Sequence, residues 1–412
     1  MTGSLVSRLA SPIVWSALVL LFAGAPAAAH ERSVSYSNWE IRGRDARVTV
    51  RVTQLELSRF PWALPAVAER DRMLARYLAE GLRMNAHDAP CIVSDGPRAL
   101  ESASGWAVYE WRLRCPEGEP LRISTTLLLD VAPSHLHFAR VTRDGSAPLE
   151  RVLWNGERGW TLSLPGSPDG GQHVGTSLEE YLVLGVEHIW TGYDHLAFLL
   201  ALLLIGGSVG EVARVVTGFT VAHSITLALA ALGYLRPETG SIEALIGLSI
   251  ALVAAENIWL LNGRCGRLPL IIAGSLASLA LLPLVEGYGR VPGLTLAGLA
   301  IFAACYFELL GVASRPALLR WAIAFVFGLV HGFAFAAVLS EAHLPADRLV
   351  RALLGFNAGV ELGQLVIVVL VWPLLHLATR SDRGRLRTAV IEVGSAAVCG
   401  LGLFWFVTRA YG

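Results

Sequence analysis

The stretch from Glu180 to Ile205, EYLVLGVEHIWTGYDHLAFLLALLLI, is apolar enough to cross a bilayer yet carries Glu187, His188, Asp194 and His195. Ionisable groups inside a spanning helix cost roughly 2.5–3.5 kcal/mol each on insertion scales, so they normally face a partner or a wet cavity. If one continuous helix runs through the stretch, His188 and His195 are separated by roughly 700° of rotation and share a face. Two imidazoles with a carboxylate beside the second are then a candidate divalent-metal site. A pair of histidines hydrogen-bonded to neighbouring helices is the alternative, equally open at this point.

The remainder of the chain fits that membrane setting. Hydrophobic residues make up 54% of the 412 and charged residues 16%, against about 25% charged in a soluble domain. Formal net charge is zero, which gives no pull toward nucleic acid. Every basic side chain is arginine and no lysine is present. That excludes a Walker-type phosphate loop and Schiff-base chemistry. The expected fold class is an α-helical polytopic membrane bundle of about eight spans, preceded by a small β-rich exported domain.

Residues 1–29 read as a signal peptide, with Arg8 in a basic n-region, an apolar core from Ile13 to Phe22 and small residues Ala27 to Ala29 at the cleavage point. Cleavage there makes His30 the new N-terminus, where amine and imidazole together can chelate a metal. A histidine that merely follows the cleavage site is the plainer reading. Residues 30–164 are expected to form the exported domain, with strand patterns over 48–57, 105–115, 121–131 and 135–143 and an amphipathic helix over 66–84. Cys91 and Cys115 are a candidate disulfide in an oxidising compartment. His135 and His137 alternate on one strand face, but two histidines without a third ligand are weak grounds for a metal site. Residues 165–179, rich in Gly, Pro and Ser, read as a linker.

Eight apolar segments follow within 180–408, at roughly 180–206, 211–234, 242–262, 268–286, 293–313, 318–340, 349–377 and 387–408. Each approaches the length needed to cross about 30 Å of hydrocarbon. With the front domain outside, the loops expected in the cytoplasm carry Arg264 and Arg267, then Arg315 and Arg320, then Arg380, Arg383, Arg385 and Arg387. This is the positive-inside bias. Polar residues recur at matching depths: His195, then His223, then Glu256 and Asn257, then His331. In the seventh segment Asn357, Glu361 and Gln364 fall at i, i+4, i+7 on one face. Gly328, Gly332, Gly355, Gly359 and Gly363 offer the close helix approach that would gather them. Glu243 and Glu286, near segment ends, are expected to snorkel. Cys265, Cys305 and Cys399 lack metal-ligand spacing and read as small apolar residues.

The segments GVEHIWTGYDHLAFLLALLL, FTVAHSITLALAALG, AAENIW, FGLVHGFAFA and FNAGVELGQL resemble the HupE/UreJ family of bacterial membrane proteins, and within it a larger branch with an exported N-terminal domain. The likeness covers about residues 175–378. His188, Asp194 and His195 carry its most specific pattern; His331-Gly332 matches a second pattern in part, without its further histidine and glutamate. The resemblance implies a nickel or cobalt permease of the bacterial inner membrane, or an accessory protein that works with a metalloenzyme maturation partner.

Three functions are thus expected to compete. The first is a secondary transporter or facilitator for Ni²⁺, Co²⁺ or Zn²⁺, more in keeping with the chain than an enzyme. In it His188, Asp194, His195, His223, His331 and Glu361 are the metal residues, His188 and His30 lying toward the outer entrance. Glu256 and Asn257 line the inner exit, and Glu187, Asn357 and Gln364 lie on the pathway or behind the ligands. The second is an intramembrane zinc-dependent hydrolase, using three histidines and an open water position with Asp194 or Glu361 as general base. The third is a non-catalytic metal sensor or assembly factor.

Overall fold

A computed structural model describes residues 33–411, apart from 59, 61–66, 103–104, 134, 163–176, 206, 236–237, 265, 282–288, 315, 342–345 and 381–383. The expected signal peptide, His30, most of the linker, Cys265 and Glu286 lie outside the described residues. The described residues fall into two compact units, one β-rich and one helical.

In the front unit β1 (Val34–Arg42) and β2 (Asp45–Thr53) form a hairpin. Short helix α1 (Gln54–Ser58) and longer α2 (Val67–Gly81) follow. Then come β3 (Leu82–Ala86), β4 (Ala89–Pro90), β5 (Ile92–Leu100), β6 (Trp106–Arg114), β7 (Leu121–Thr125), β8 (Leu136–Arg143), β9 (Leu149–Leu153) and β10 (Gly159–Leu162). Two sheets result, ordered β5-β6-β2-β1-β8-β9 and β10-β7-β3-β4, with β1 and β8 parallel. Trp39, Val48 and Trp111 from the first sheet share one core with Met84, Ile123 and Trp160 from the second and Leu74 and Leu78 from α2. Cys91 and Cys115 are disulfide-bonded.

Two expected strands stop early, for local reasons. The run 48–57 leaves the sheet after Thr53, whose Oγ1 accepts from the Glu56 amide as a cap on α1. The run 121–131 ends at Thr125, whose Oγ1 takes the Leu127 amide, and Leu128 adopts φ 60°. Apolar content predicts strand where a side-chain hydroxyl redirects the backbone.

His135 and His137 are fully committed to the fold. A buried file runs from Ser33 Oγ to His135 Nδ1 (2.6 Å), from His135 Nε2 to Ser35 Oγ (2.7 Å), from Ser35 Oγ to His137 Nδ1 (2.7 Å) and from His137 Nε2 to Ser37 Oγ (2.7 Å). Trp39 Nε1 donates to Ser37 Oγ at its end. Burial pushes the His137 pKa down from 6.5 to about 3. A depressed imidazole is neutral when folded, while the unfolded chain takes a proton below its ordinary pKa. The stabilisation is therefore complete above pH 6.5 and is lost as pH falls toward 3. It amounts to something on the order of 4 kcal/mol. The front unit is expected to melt at a clearly lower temperature at pH 4.5 than at pH 7, measured on the full chain by protease resistance of the β-rich part. His137→Gln should flatten that difference; an unchanged pH response in His137→Gln would show that other groups carry it.

The helical unit begins with α3 (Leu178–Thr191) and α4 (Tyr193–Leu204). It continues through α5 (Val209–Ala231), α6 (Thr239–Leu261), α7 (Leu268–Leu279), α8 (Gly293–Val312), α9 (Pro316–Glu341), α10 (Ala346–Arg380) and α11 (Gly384–Tyr411). Six of these, α5, α6 and α8 to α11, are long and apolar enough to cross a membrane. The first and fourth expected spans differ: the first is two helices in series, and the fourth is described only as the 12-residue α7.

Glycine seams bring the helices together. At Gly247 on α6 and Gly402 on α11 an added Cβ would stand 2.7 Å from backbone nitrogen of the other helix. Gly328 on α9 meets Phe219 of α5, and Gly332 meets Thr226 and His223. Gly359 and Gly363 on α10 face α3, where Gly185 answers them. Lipid tails are as apolar as leucine, so helices in a bilayer associate through such close contacts rather than by hiding apolar area.

Candidate functional site

The site starts at the break between α3 and α4. Gly192 is extended (φ −80°, ψ 92°) and leaves the helical path. Its amide donates to the His188 carbonyl at 3.0 Å, and its carbonyl accepts from Leu196 at 3.0 Å, so the interruption loses little hydrogen bonding. A Cβ at Gly192 would lie 2.7 Å from His195 Nδ1 and 2.8 Å from the His188 oxygen. The single-helix geometry expected for His188 and His195 is thus replaced by a bend. The two rings still meet, edge to face with centroids 4.5 Å apart, because the chain turns at the glycine between them.

Two more helices contribute to the same place. His223 of α5 lies 6.3 Å from both His188 and His195, and His331 of α9 lies 5.6 Å from His195, centroid to centroid. All four are buried, between 1% and 7% exposed. Four elements therefore place four imidazoles in one apolar setting.

The hydrogen bonds fix two tautomers. His331 Nδ1 lies 2.8 Å from the Phe327 carbonyl, which only accepts, so Nδ1 carries the proton. His195 Nδ1 lies 3.0 Å from Asp194 Oδ1, which also accepts the His195 amide at 2.9 Å. Asp194 sits in the first turn of α4, where the helix dipole favours a negative charge. Each ring is left with a basic Nε2, and neither His195 Nε2 nor His331 Nε2 has a hydrogen-bond partner among the described residues. Orientation of a ligating histidine through its other nitrogen is how proteins prepare metal ligands. No group of three or more His, Cys, Asp or Glu among the described residues has the spacing of a finished metal centre. The arrangement is a pair of prepared nitrogens with two further imidazoles close by.

The remaining expected residues make contacts of their own. Glu361 accepts from Thr217 Oγ1 of α5 at 2.5 Å, and Gln364 Oε1 accepts from Thr220 Oγ1 at 2.8 Å. They form a polar seam between α5 and α10. Asn357 donates to Leu353 O on its own helix. Glu187 is half-buried on α3, one residue before His188. Glu256 is buried, ion-paired with Arg320 Nε at 2.8 Å and bonded by the Tyr306 hydroxyl of α8. Asn257 donates to the Ala201 carbonyl of α4 at 2.7 Å, buried at 0% exposure.

Sequence reasoning missed three members of these clusters. Arg320, expected in a cytoplasmic loop, stands in the second turn of α9 against a buried carboxylate. Tyr306 carried no signal except its place in an apolar run. Glu243, expected to snorkel, is 8% exposed and pairs with buried Arg409, whose Nη1 donates to the Glu243 carbonyl at 3.0 Å. An arginine immediately after the last apolar segment was the available hint.

A family model described as HupE / UreJ protein matches residues 169–303 and 293–409. No curated protein matches the chain. The matched stretches take in α3 to α10 and nearly all of α11, more than half of the 412 residues, and include every member of the histidine cluster. The family is associated with nickel and cobalt uptake for hydrogenase and urease. This multi-pass membrane chain belongs to the HupE/UreJ family.

Proposed function

We propose that this protein moves a divalent transition metal of the nickel/cobalt class across the bacterial inner membrane, with the histidine cluster as its intramembrane binding site and the β-rich domain on the outer side. The observation that carries the reading is the pair of buried, unpartnered Nε2 atoms on His195 and His331, with their tautomers set from behind. Imidazole nitrogen suits Ni²⁺, Co²⁺ and Zn²⁺. The metal is cargo, so a loose set of two prepared nitrogens with His188 and His223 nearby suits an ion that must leave again. Asp194 offsets part of its charge through His195. Protonation of an imidazole would release the ion, which offers coupling to a proton gradient. Glu361, held through Oε1 by Thr217 and with Oε2 unpartnered among the described residues, stays among the proposed metal residues; Glu256 and Asn257 belong farther along the pathway.

The test is uptake of Ni²⁺ and Co²⁺ into proteoliposomes. His195→Ala, checked for a monodisperse profile in detergent, is expected to fall to the rate of protein-free liposomes. Equal uptake by the wild type and His195→Ala would remove the cluster from transport.

A further inference from the structure

Three helices share one order of side chains. On α4 the sequence runs His195, Phe198, Leu202. On α5, read backwards, it runs His223, Phe219, Val215. On α9, also backwards, it runs His331, Phe327, Arg320. Steps of three or four residues stack about 5 Å along a helix axis, and the seven from Phe327 to Arg320 span about 10 Å. Each helix thus presents a histidine, then a phenylalanine, then a residue that lines a cavity of about 600 Å³.

In the middle layer Phe198 touches both of the other rings. Phe198 lies 4.9 Å from Phe219 and 6.2 Å from Phe327, centroid to centroid. It abuts the histidine layer directly: Phe219 is 4.9 Å and Phe198 is 5.4 Å from the His331 ring. The three rings are 1–6% exposed. The cavity beyond is lined mostly by apolar side chains, among them Leu202, Val212, Val215 and Trp321. Its walls include Glu211, Arg214 and Arg320, and Glu211 and Arg214 are exposed. Trp321 packs over Gly218, one residue before Phe219, where an added Cβ would stand 2.3 Å from its Nε1.

We propose that Phe198, Phe219 and Phe327 form the selectivity barrier of this protein, separating the histidine site from the cavity at whose rim Glu211, Arg214 and Arg320 stand. A ring of apolar side chains blocks a hydrated ion because water leaves a narrow apolar constriction. A cation crosses only after trading water for imidazole on His195 and His331. Imidazole nitrogen repays the lost hydration of Ni²⁺ and Co²⁺, which bind such ligands tightly, but not that of Mg²⁺, which takes oxygen ligands and keeps its water. The layer thereby excludes the abundant hard cations without contacting them through any charge. The assignment of cargo rests on the transport reading; the barrier itself does not.

Two measurements separate these. The first is thiol labelling with a membrane-impermeant methanethiosulfonate, applied from the side bearing Arg214 and Arg320, in a chain whose Cys265, Cys305 and Cys399 are replaced by alanine. Leu202→Cys in the cavity wall is expected to react at least tenfold faster than His195→Cys behind the layer. Phe327→Ala should raise the His195→Cys rate at least tenfold and leave Leu202→Cys unchanged, and Phe327→Leu should keep it slow. Equal rates at the two positions with all three phenylalanines in place would overturn the barrier. Should Phe327→Ala fail to fold, Phe219→Ala makes the same opening in the layer. The second is ion flux: Phe327→Ala or Phe219→Ala proteoliposomes are expected to admit Mg²⁺ at least tenfold faster than the wild type. No gain in Mg²⁺ entry by either folded variant would remove the selectivity role. A wild type that moves no nickel but shows the expected labelling would sink the cargo and leave the barrier standing.

Discussion

Asp194→Asn is expected to leave the fold intact and to raise the metal concentration needed for half-maximal uptake by about 10- to 100-fold, the cost generally seen when the group behind a ligating histidine is changed. The substitution is close to isosteric and keeps an oxygen where Oδ1 accepts from the His195 amide and Nδ1. Ring orientation and tautomer should survive. What disappears is one negative charge, held at 9% exposure where water screens it poorly. Asp194→Ala removes the acceptor as well, freeing the ring to turn and Nδ1 to lose its proton to Nε2. It should be worse than Asp194→Asn in the same assay. The order wild type, Asn, Ala separates charge from orientation. Concentration dependences within twofold of each other for all three chains would show that the His195–Asp194 bond is only structural.

Much of this site was legible because burial of ionisable groups in lipid leaves few options. His188, Asp194, His195, His223 and His331 stood out as groups too expensive to face hydrocarbon, and the structure puts the four imidazoles together. Their route to one another was not legible. The break at Gly192, where the backbone turns extended and a Cβ would crowd His195 Nδ1 and the His188 carbonyl, gives no sign in a run of otherwise largely apolar helix-forming residues. Helical spacing on α10 put Asn357, Glu361 and Gln364 on one face, but spacing does not say which neighbour that face meets. It meets the threonines of α5. Arg320 and Glu243 failed for a related reason. Charge near a segment end is usually solvated, and only a buried partner of opposite sign, Glu256 or Arg409, reverses that. The aromatic layer was invisible because a phenylalanine in an apolar segment is ordinary on its own. In the front domain the alternating pattern located strands, while threonine hydroxyls decided where two of them ended.

Gly359→Leu is expected to prevent the protein from accumulating as a monodisperse species, the largest stability effect of any single change considered. At Gly359 an added Cβ would stand 2.0 Å from the Leu182 carbonyl oxygen and 3.0 Å from Gly185 Cα. From the other side, a Cβ on Gly185 would stand 2.1 Å from the Phe356 oxygen. These are backbone atoms of two helices, so no rotamer change relieves the overlap. The helices α3 and α10 would have to separate by an ångström or more, giving up dispersion contacts along the whole seam. Overpacking ordinarily costs about 1–3 kcal/mol where side chains can shift; here Gly359→Ala alone should reach or exceed the top of that range. Gly363→Ala, one turn on, is the control. Its Cβ would meet Ile189 and Val186 at 3.4 Å, near an ordinary contact, and it should cost less than about 1 kcal/mol. The consequence reaches the histidines, because His188 follows Gly185 by three residues and rests 5.2 Å from Phe356 of α10. Fluorescence-detected size exclusion of the three variants in detergent, with thermal midpoints, reads the effect. A Gly359→Leu chain that elutes and melts like the wild type would mean that α3 and α10 do not meet at this seam.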